Sequence, residues 1–144
     1  MIEVLAMRHG NTFGPGDPVL WVGRNEDLPL VDSGRQQALA LGQSLAAIEW
    51  MPDRAVASAL QRTQQHARCA LDVLLASEGV RPALRQRAQS VAIVADPRLD
   101  EIDYGPWGGQ SSAQIEARGD ADALAAWSQH GRWPAAFAES QEEV

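Results

Sequence analysis

A cation, an imidazole and a glycine follow one another at Arg8, His9 and Gly10, directly after the apolar run of residues 2–7. A short apolar run bounded by turn residues predicts a strand that is buried on both faces of a parallel sheet. Open α/β sheets bind their ligands beyond the carboxyl ends of such strands. We therefore predict His9 as a nucleophile and Arg8 as a phosphate ligand. The alternative is a surface loop that carries an unrelated arginine and histidine.

A second candidate phosphate ligand is Arg62, which follows the apolar segment 54–58 and lies in the first turn of the next predicted helix. Free backbone N–H groups and the helix dipole favour an anion there, and a guanidinium adds charge-assisted hydrogen bonds. Two adjacent parallel strands would bring Arg8, His9 and Arg62 to one edge of the sheet. The alternative is a solvated arginine, but a cation is slightly unfavourable at this position, which favours the functional interpretation.

The elements that must position these residues follow from hydrophobic periodicity and turn residues. We predict a helix from Asp32 or Ser33 to about Ile48, with Ala38, Leu41, Gly42, Leu45 and Ile48 on one face. Next come a strand at 54–58, a helix capped by Ser58 that ends at Gly79, a polar connection at 80–89, a strand at 91–95 and an ordered loop at 99–112. Short helices are predicted from Ser111 or Ser112 to Arg118, from Asp120 or Asp122 to Gln129, and from Phe137 onwards. The alternation of strand and helix indicates a parallel α/β sheet.

The bulk composition predicts one domain over residues 1–144, with 45% hydrophobic and 22% charged residues. No apolar run approaches the ~20 residues of a membrane span, and the net charge of −7 argues against a nucleic-acid partner. A single cysteine, Cys69, cannot form an internal disulfide and lacks companion thiols for a metal site. We expect a cytoplasmic protein without metal, cofactor, nucleic acid or membrane partner.

Four segments match motifs that occur together in one family. Residues 8–12 resemble an Arg-His-Gly-Glu-Thr signature, and residues 27–30 with Gly34 and 37–38 resemble an Asp-x-Pro-Leu-Thr…Gly…Gln-Ala segment. Residues 58–64 resemble Ser-Pro-Leu-x-Arg-Ala-x-Gln, and residues 99–109 resemble a Leu-x-Glu-x-x-x-Gly-x-Trp-Glu-Gly loop. Each motif alone is weak, but four in the right order are specific. The chain thus resembles the histidine phosphatase (phosphoglycerate mutase-like) superfamily.

The resemblance implies an α/β three-layer sandwich, with a mostly parallel sheet flanked by helices. It also implies His9 as the phosphoryl acceptor, Arg8 and Arg62 as phosphate ligands, and Glu101 as the proton donor. Only the family motif favours Glu101 over Asp100 and Asp103 for that role. Further predicted contacts are Asn11 to phosphate, and Thr12, Gly23 and Tyr104 to substrate.

The chemistry independently requires these residue types. A neutral imidazole nitrogen is a competent nucleophile near pH 7, and nearby arginines discourage its protonation. Phosphoryl transfer spreads negative charge over three oxygens, so positioned donors are the main requirement. The alkoxide leaving group needs a proton, which a carboxylic acid of raised pKa can supply.

The chain departs from the family pattern at several positions. Asn11 and Gly108 stand where the motifs have Glu, and we find no second histidine in a His-Gly pair after a late apolar strand. His130 precedes a glycine but follows a helical run, so we predict a surface residue. His66, four residues after Arg62, could face the pocket, although we favour local packing or a surface position.

Two explanations remain for the missing histidine. The chain stops before a last strand and helix, or it is a naturally reduced member of the family; the helix still open at Val144 favours the first. A chain that lacks a central strand should be fragile or should recruit a second copy of itself, which makes a homodimer a candidate.

The predicted function is a phosphomonoesterase that hydrolyses a small phosphorylated metabolite through a phosphohistidine at His9. Two alternatives stay open: a phosphoglycerate mutase-type phosphoryl transfer, and a catalytically impaired member that binds phosphate without turnover.

Overall fold

The computed structural model describes residues 2–140, apart from the side chains of residues 87 and 88. These residues form two compact units. The first unit comprises the described part of Met1–Gly14 together with Pro29–Leu99, and the second comprises Pro15–Leu28 with the described part of Asp100–Val144. The prediction of one domain over residues 1–144 stays a prediction, and each unit is described by itself.

The first unit is built from three helices and two short parallel strands. Its elements are α1 (Asp32–Ala47), β1 (Ala55–Ala57), α2 (Gln61–Ala76), α3 (Pro82–Gln89) and β2 (Ile93–Ala95). The two strands pair in parallel, with Ala55 opposite Ile93 and Ala57 opposite Ala95. The backbone N–H of Asp96 extends the ladder by donating to the carbonyl of Ala57 at 2.9 Å. Strand, helices and parallel strand therefore form the predicted crossover arrangement.

The core of the first unit lies between α1 and α2. Four buried apolar residues form its centre: Leu45, Leu71, Leu74 and Val80. The predicted apolar face of α1 is confirmed at Ala38, Gly42 and Leu45, which are buried. Ile48, predicted on the same face, is 70% exposed because α1 ends at Ala47 and the helical spacing no longer applies beyond it.

The strand predicted for residues 2–7 is wrong, because no strand is present there. Ile2 and Val4 are 90% and 84% exposed instead of buried on two faces. A strand exists through hydrogen bonds to a neighbour, and a parallel strand buried on both faces needs a paired neighbour on each side. Within the described residues, β1 and β2 are the strands, they pair with each other, and residues 2–7 pair with neither of them.

The polar connection predicted for residues 80–89 is also wrong, because α3 occupies most of it. Pro82 suits the first helical position, since its missing N–H needs no partner there. Ala83, Leu84, Arg85 and Gln86 follow, and all four favour helix. The segment was too polar for its periodicity to reveal a helix.

The second unit packs around aromatic side chains. Its buried hydrophobic cluster consists of Trp107, Ile115, Leu124 and Phe137. Its α-helices are α4 (Ser112–Ile115) and α5 (Ala121–His130), joined by a π-helical turn at Glu116–Asp120. The predicted capping at Ser111 is confirmed: the Ser111 hydroxyl accepts from the N–H of Gln114 at 3.3 Å, and the Gln114 side chain accepts from the N–H of Ser111 at 2.7 Å.

The helix predicted from Phe137 onwards is absent over residues 137–140, where the chain forms turns and bends; residues 141–144 lie outside the described residues. Phe137 is buried and contacts the ring of Trp107 edge-on, with centroids 5.2 Å apart. This ring packing, and not a helix, holds the segment. No helix among residues 2–140 is both long and apolar enough to cross a bilayer.

Candidate active site

Hydrogen bonds from two helices hold the loop of residues 9–11. The backbone N–H of Gly10 donates to Nδ1 of His66 on α2 at 3.0 Å. The N–H of Asn11 donates to Oε1 of Gln37 on α1 at 2.8 Å, and the carbonyl of Asn11 accepts from the N–H of Val31 at 3.1 Å. The loop is thus fixed against the N-terminal halves of α1 and α2 although residues 2–7 form no strand.

Two glycines allow this close approach. A Cβ on Gly34 would lie 2.8 Å from the backbone nitrogen of Asn11, and one on Gly10 would lie 2.8 Å from Cα of Gly34. Both distances are shorter than real Cβ contacts. Any side chain at either position would therefore push α1 and the loop apart.

The imidazole of His9 is oriented by the backbone that follows it. Its Nδ1 lies 2.7 Å from the carbonyl oxygen of Gly10. A carbonyl can only accept, so Nδ1 carries the proton of this hydrogen bond. In the neutral ring the unprotonated nitrogen is then Nε2. This tautomer is the one that a nucleophile attacking through Nε2 requires.

Arg62 lies in the first turn of α2 and is 2% exposed. The preceding turn is fixed by the hydroxyl of Ser58, which is 2.7 Å from that of Thr63 and accepts from the N–H of Leu60 at 3.4 Å. The predicted cap by Ser58 is corrected in one detail, because the N-cap residue is Leu60 and no side chain caps the helix itself. The N-terminal turn thus carries a buried guanidinium.

Arg62 and His66 are four residues apart and both buried on one face of α2. One helical turn, about 5.4 Å, separates their positions along the axis. His66 therefore links the His9 loop to the face of α2 that also carries Arg62. That His9 and Arg62 act on one phosphate group stays a prediction.

The remaining predicted phosphate ligands lie in the same unit but differ in their surroundings. Arg8 is exposed. The side-chain amide of Asn11 donates to the hydroxyl of Ser33 at 3.2 Å, so this side chain ties the loop to α1. Thr12, predicted to contact substrate, is half-buried next to the loop.

Glu101, Gly23 and Tyr104 lie in the second unit. Oε1 of Glu101 accepts from the N–H of Ile102 at 3.0 Å and from the hydroxyl of Tyr104 at 3.4 Å. Nε of Arg24 donates to the carbonyl of Glu101 at 3.1 Å. The N–H of Gly23 donates to a carboxylate oxygen of Glu26 at 2.8 Å. The carboxyl of Glu101 therefore has a defined orientation within its own unit.

The competitor Asp103 serves a turn. Its Oδ1 accepts from the N–H of Gly105 at 2.9 Å, and its own N–H donates to Glu139 at 3.2 Å. Such a carboxylate is committed to local backbone structure. Glu101 also accepts from a backbone N–H, so these hydrogen bonds do not choose between the two carboxylates, and Glu101 as the proton donor stays a prediction.

The two remaining candidate residues, His130 and Cys69, are less buried than His66. His130 is exposed in the last turn of α5, and Cys69 is half-buried on α2. Over residues 2–140, no group of three or more His, Cys, Asp and Glu side chains has the proximity that a metal ion requires.

Sequence reasoning missed the part played by His66 and Gln37. The sequence favours local packing or a surface position for His66. In the structure His66 is buried, and it also holds the loop through its hydrogen bond with Gly10. Its spacing of four residues from Arg62 was the available signal. Gln37 was quoted as part of a motif, yet its contact with Asn11 joins residues 26 positions apart and no local pattern reveals it.

Similarity to known proteins extends over nearly the whole chain. The chain matches the model of the histidine phosphatase superfamily (branch 1) over residues 4–144. Among solved structures, it is similar to a protein named mycobacterial hydrolase 1, with 28% identity and a TM-score of 0.65 over 94% of this chain and 55% of that one. The mycobacterial glucosyl-3-phosphoglycerate phosphatase shares 28% identity and a TM-score of 0.63, over 90% of this chain and 52% of that one.

The α-ribazole phosphatase from Shigella flexneri shares 26% identity and a TM-score of 0.63, over 91% of this chain and 56% of that one. No curated protein sequence matches the chain. The chain spans about half the length of the solved structures it matches. Its fold is the α/β fold of the phosphoglycerate mutase-like phosphatases. By its match over residues 4–144, the chain belongs to the histidine phosphatase superfamily.

Proposed function

We propose that this chain is a phosphomonoesterase that hydrolyses a small phosphorylated metabolite through a phosphohistidine at His9. Its partner in this reaction is a small phosphate ester, and neither nucleic acid nor membrane takes part. The observation that carries the proposal is the contact of the His9 loop with α2: the N–H of Gly10 donates to His66 at 3.0 Å, one turn from the buried Arg62.

In the first step, Nε2 of His9 attacks phosphorus and the ester oxygen leaves with a proton from Glu101. The carboxylate of Glu101 then takes a proton from a water molecule, whose oxygen attacks the phosphohistidine. Inorganic phosphate is released and His9 returns to its neutral form. The hydrogen bond from Nδ1 of His9 to the carbonyl of Gly10 at 2.7 Å supports the first step, because it leaves Nε2 as the nucleophilic nitrogen.

Two positive groups would stabilise the charge on the transferring phosphoryl group. Arg62 adds a guanidinium to the N-terminal turn of α2, where the helix dipole favours an anion. Arg8 is exposed beside His9 and can reach an incoming ester. A planar guanidinium binds two phosphate oxygens at once, which suits both residues to this role.

The relatives support the substrate class. Two of the similar structures are named as phosphatases, of glucosyl-3-phosphoglycerate and of α-ribazole. A further structure of the first enzyme is a complex with VO3, an oxyanion that resembles phosphate. A pocket that accepts a phosphoryl group on a small organic molecule is the property these names share.

The test uses the purified chain with p-nitrophenyl phosphate and with a radiolabelled phosphate ester quenched in alkali, where phosphohistidine survives. We expect hydrolysis and a label on the peptide that contains His9. His9→Ala should lose the label and reduce kcat on the order of 10³-fold or more. His130→Ala, which changes an exposed histidine on α5, is the matched control and should keep both. No turnover and no label in the wild-type chain would overturn the proposal.

A second candidate function is phosphate binding without turnover. It is favoured by the hydrogen bonding of His66, which is the histidine near His9 among the described residues. Nδ1 of His66 already accepts from the N–H of Gly10, so this nitrogen is not available to take part in turnover. This candidate predicts saturable binding of phosphate or vanadate in a calorimeter, with no release of p-nitrophenol.

A further inference from the structure

The one buried histidine of the chain is His66, with 5% of its surface exposed. A buried imidazole is unfavourable unless its nitrogens find hydrogen-bond partners. Nδ1 of His66 finds one in the backbone N–H of Gly10, 3.0 Å away and 56 residues distant in the chain. This contact is separate from the phosphate-binding and proton-donating roles assigned above.

Both peptide groups that flank Gly10 are held by side chains. His66 on α2 accepts from the peptide N–H between His9 and Gly10, and Gln37 on α1 accepts from the one between Gly10 and Asn11 at 2.8 Å. The carbonyl of that second peptide is the group that orients the His9 ring at 2.7 Å. The two peptide groups are joined at Cα of Gly10, where a glycine restricts rotation least, so each hydrogen bond limits one of the two backbone torsions of Gly10. Loss of the hydrogen bond to His66 would free one of these torsions, and the angle between the His9 ring and the Gly10 carbonyl would no longer be fixed.

We propose that His66 is a positioning residue for His9: its neutral imidazole holds the peptide N–H of Gly10 and thereby keeps Nε2 of His9 aimed at the substrate. This inference rests on the proposed function, because it deepens the account of the same site. His66 itself does not touch the reacting atoms. Its contribution is the fixed geometry of the loop, which is the kind of preorganisation that phosphoryl transfer depends on.

The role requires an unprotonated Nδ1 on His66. Burial lowers the pKa of His66, and the nearby His9 lowers it further, so the ring is neutral at pH 7. The other titratable groups near it are Arg62 and Cys69 at helical spacing on α2, while α1 faces the loop with Gly34 and Gln37. Protonation would place an N–H of His66 against the N–H of Gly10 and break the hydrogen bond.

Two substitutions separate the acceptor from the volume of the ring. In His66→Asn, the side-chain oxygen can take the place of Nδ1; in His66→Leu, the volume is kept and the acceptor is lost. We expect His66→Leu to lower kcat about 10²-fold with little change in KM, as a misplaced catalytic group does. His66→Asn should keep most of the activity, and His130→Asn should match the wild type. Equal kcat in the wild type and His66→Leu, or equal losses in the two His66 variants, would overturn the inference.

The pH profile adds a readout that a merely structural role would not move. Protonation of His66 would break its hydrogen bond to Gly10, so kcat of the wild type should fall over the pH range in which His66 takes up its proton. His66→Asn has no proton to take up at this position and should lack that part of the fall. A pH dependence of kcat that is identical in the two proteins would contradict the positioning role.

Nuclear magnetic resonance on the substrate-free chain keeps this inference distinct from the proposed function. If the chain shows no turnover, the proposed function fails, but the amide proton of Gly10 still reports on His66. In the wild type, the chemical shift of that amide proton should change over the pH range in which the His66 ring titrates. In His66→Leu, its chemical shift should differ from the wild-type value if this variant folds. A chemical shift of the Gly10 amide that stays unchanged while His66 titrates would overturn the inference by itself.

Discussion

Replacing Gly34 by alanine should destabilise the first unit through a clash between α1 and the loop that carries His9. The new Cβ would lie 2.8 Å from the backbone nitrogen of Asn11 and 3.1 Å from its carbonyl carbon, and closer still to its carbonyl oxygen. All three atoms are backbone, so no side chain can move out of the way. Relief requires α1 and the loop to separate by more than about 1 Å, because the carbonyl oxygen of Asn11 lies that far inside ordinary contact distance.

The magnitude follows from three contributions. Overpacking of this kind costs about 1–3 kcal/mol. The separation also strains the hydrogen bonds from Asn11 to Gln37, 2.8 Å, and from Val31 to Asn11, 3.1 Å, each worth about 1 kcal/mol. The higher helix propensity of alanine offsets at most about 1 kcal/mol. We expect a net destabilisation of about 2 kcal/mol, which lowers Tm by roughly 4–8 °C in a chain of this size.

Thermal unfolding followed by far-UV circular dichroism measures the effect. Gly79→Ala is the matched control, because a Cβ at Gly79 would meet no atom within 4 Å and the residue lies in the same unit. That variant should melt within about 1–2 °C of the wild type, as a surface substitution does. If Gly34→Ala melts at or above the temperature of Gly79→Ala, the close approach of α1 to the His9 loop does not exist.

Three further predictions follow from individual contacts. Ser111→Ala removes one half of a capping box and should destabilise the second unit by about 1 kcal/mol in urea unfolding, whereas Ser128→Ala, at an exposed hydroxyl on α5, should have no effect. The pKa of His66 is lowered in the folded chain, so as the pH falls below about 6.5 the unfolded state takes up this proton before the folded state does. The free energy of unfolding should therefore decrease in that pH range, and His66→Asn should remove this part of the decrease. Hydrogen bonds from Arg98 lower the pKa of Asp96 to about 2, and Arg98→Ala should return its titration, followed by nuclear magnetic resonance, towards the ordinary value of 3.8.

Each of these outcomes can fail clearly. Equal urea midpoints for the two serine variants would show that the capping box contributes nothing. A pH dependence that is identical in the wild type and His66→Asn would contradict the lowered pKa of His66. An Asp96 resonance that titrates at the same pH with and without Arg98 would show that the two side chains do not interact.

The motif residues Gly34 and Gln37 illustrate how far sequence reasoning reached. Both belong to a segment that resembles a family motif, so the sequence identifies them as motif residues. It does not indicate which contacts require a glycine and a glutamine at these positions. The structure shows these contacts: Gly34 lets the loop approach, and Gln37 accepts the N–H of Asn11. The side-chain amide of Asn11 contacts Ser33, and phosphate binding by Asn11 stays a prediction.

Local patterns in the chain were sufficient for α1, α2, β1 and β2, because periodicity and turn residues act over a few positions. They were also sufficient for the family and for Arg62 in the first turn of α2. Tertiary structure alone decided that residues 2–7 form no strand, since a strand depends on a partner elsewhere in the chain. It also decided that His66 holds the nucleophile's loop, because that hydrogen bond spans 56 residues and no local pattern encodes it.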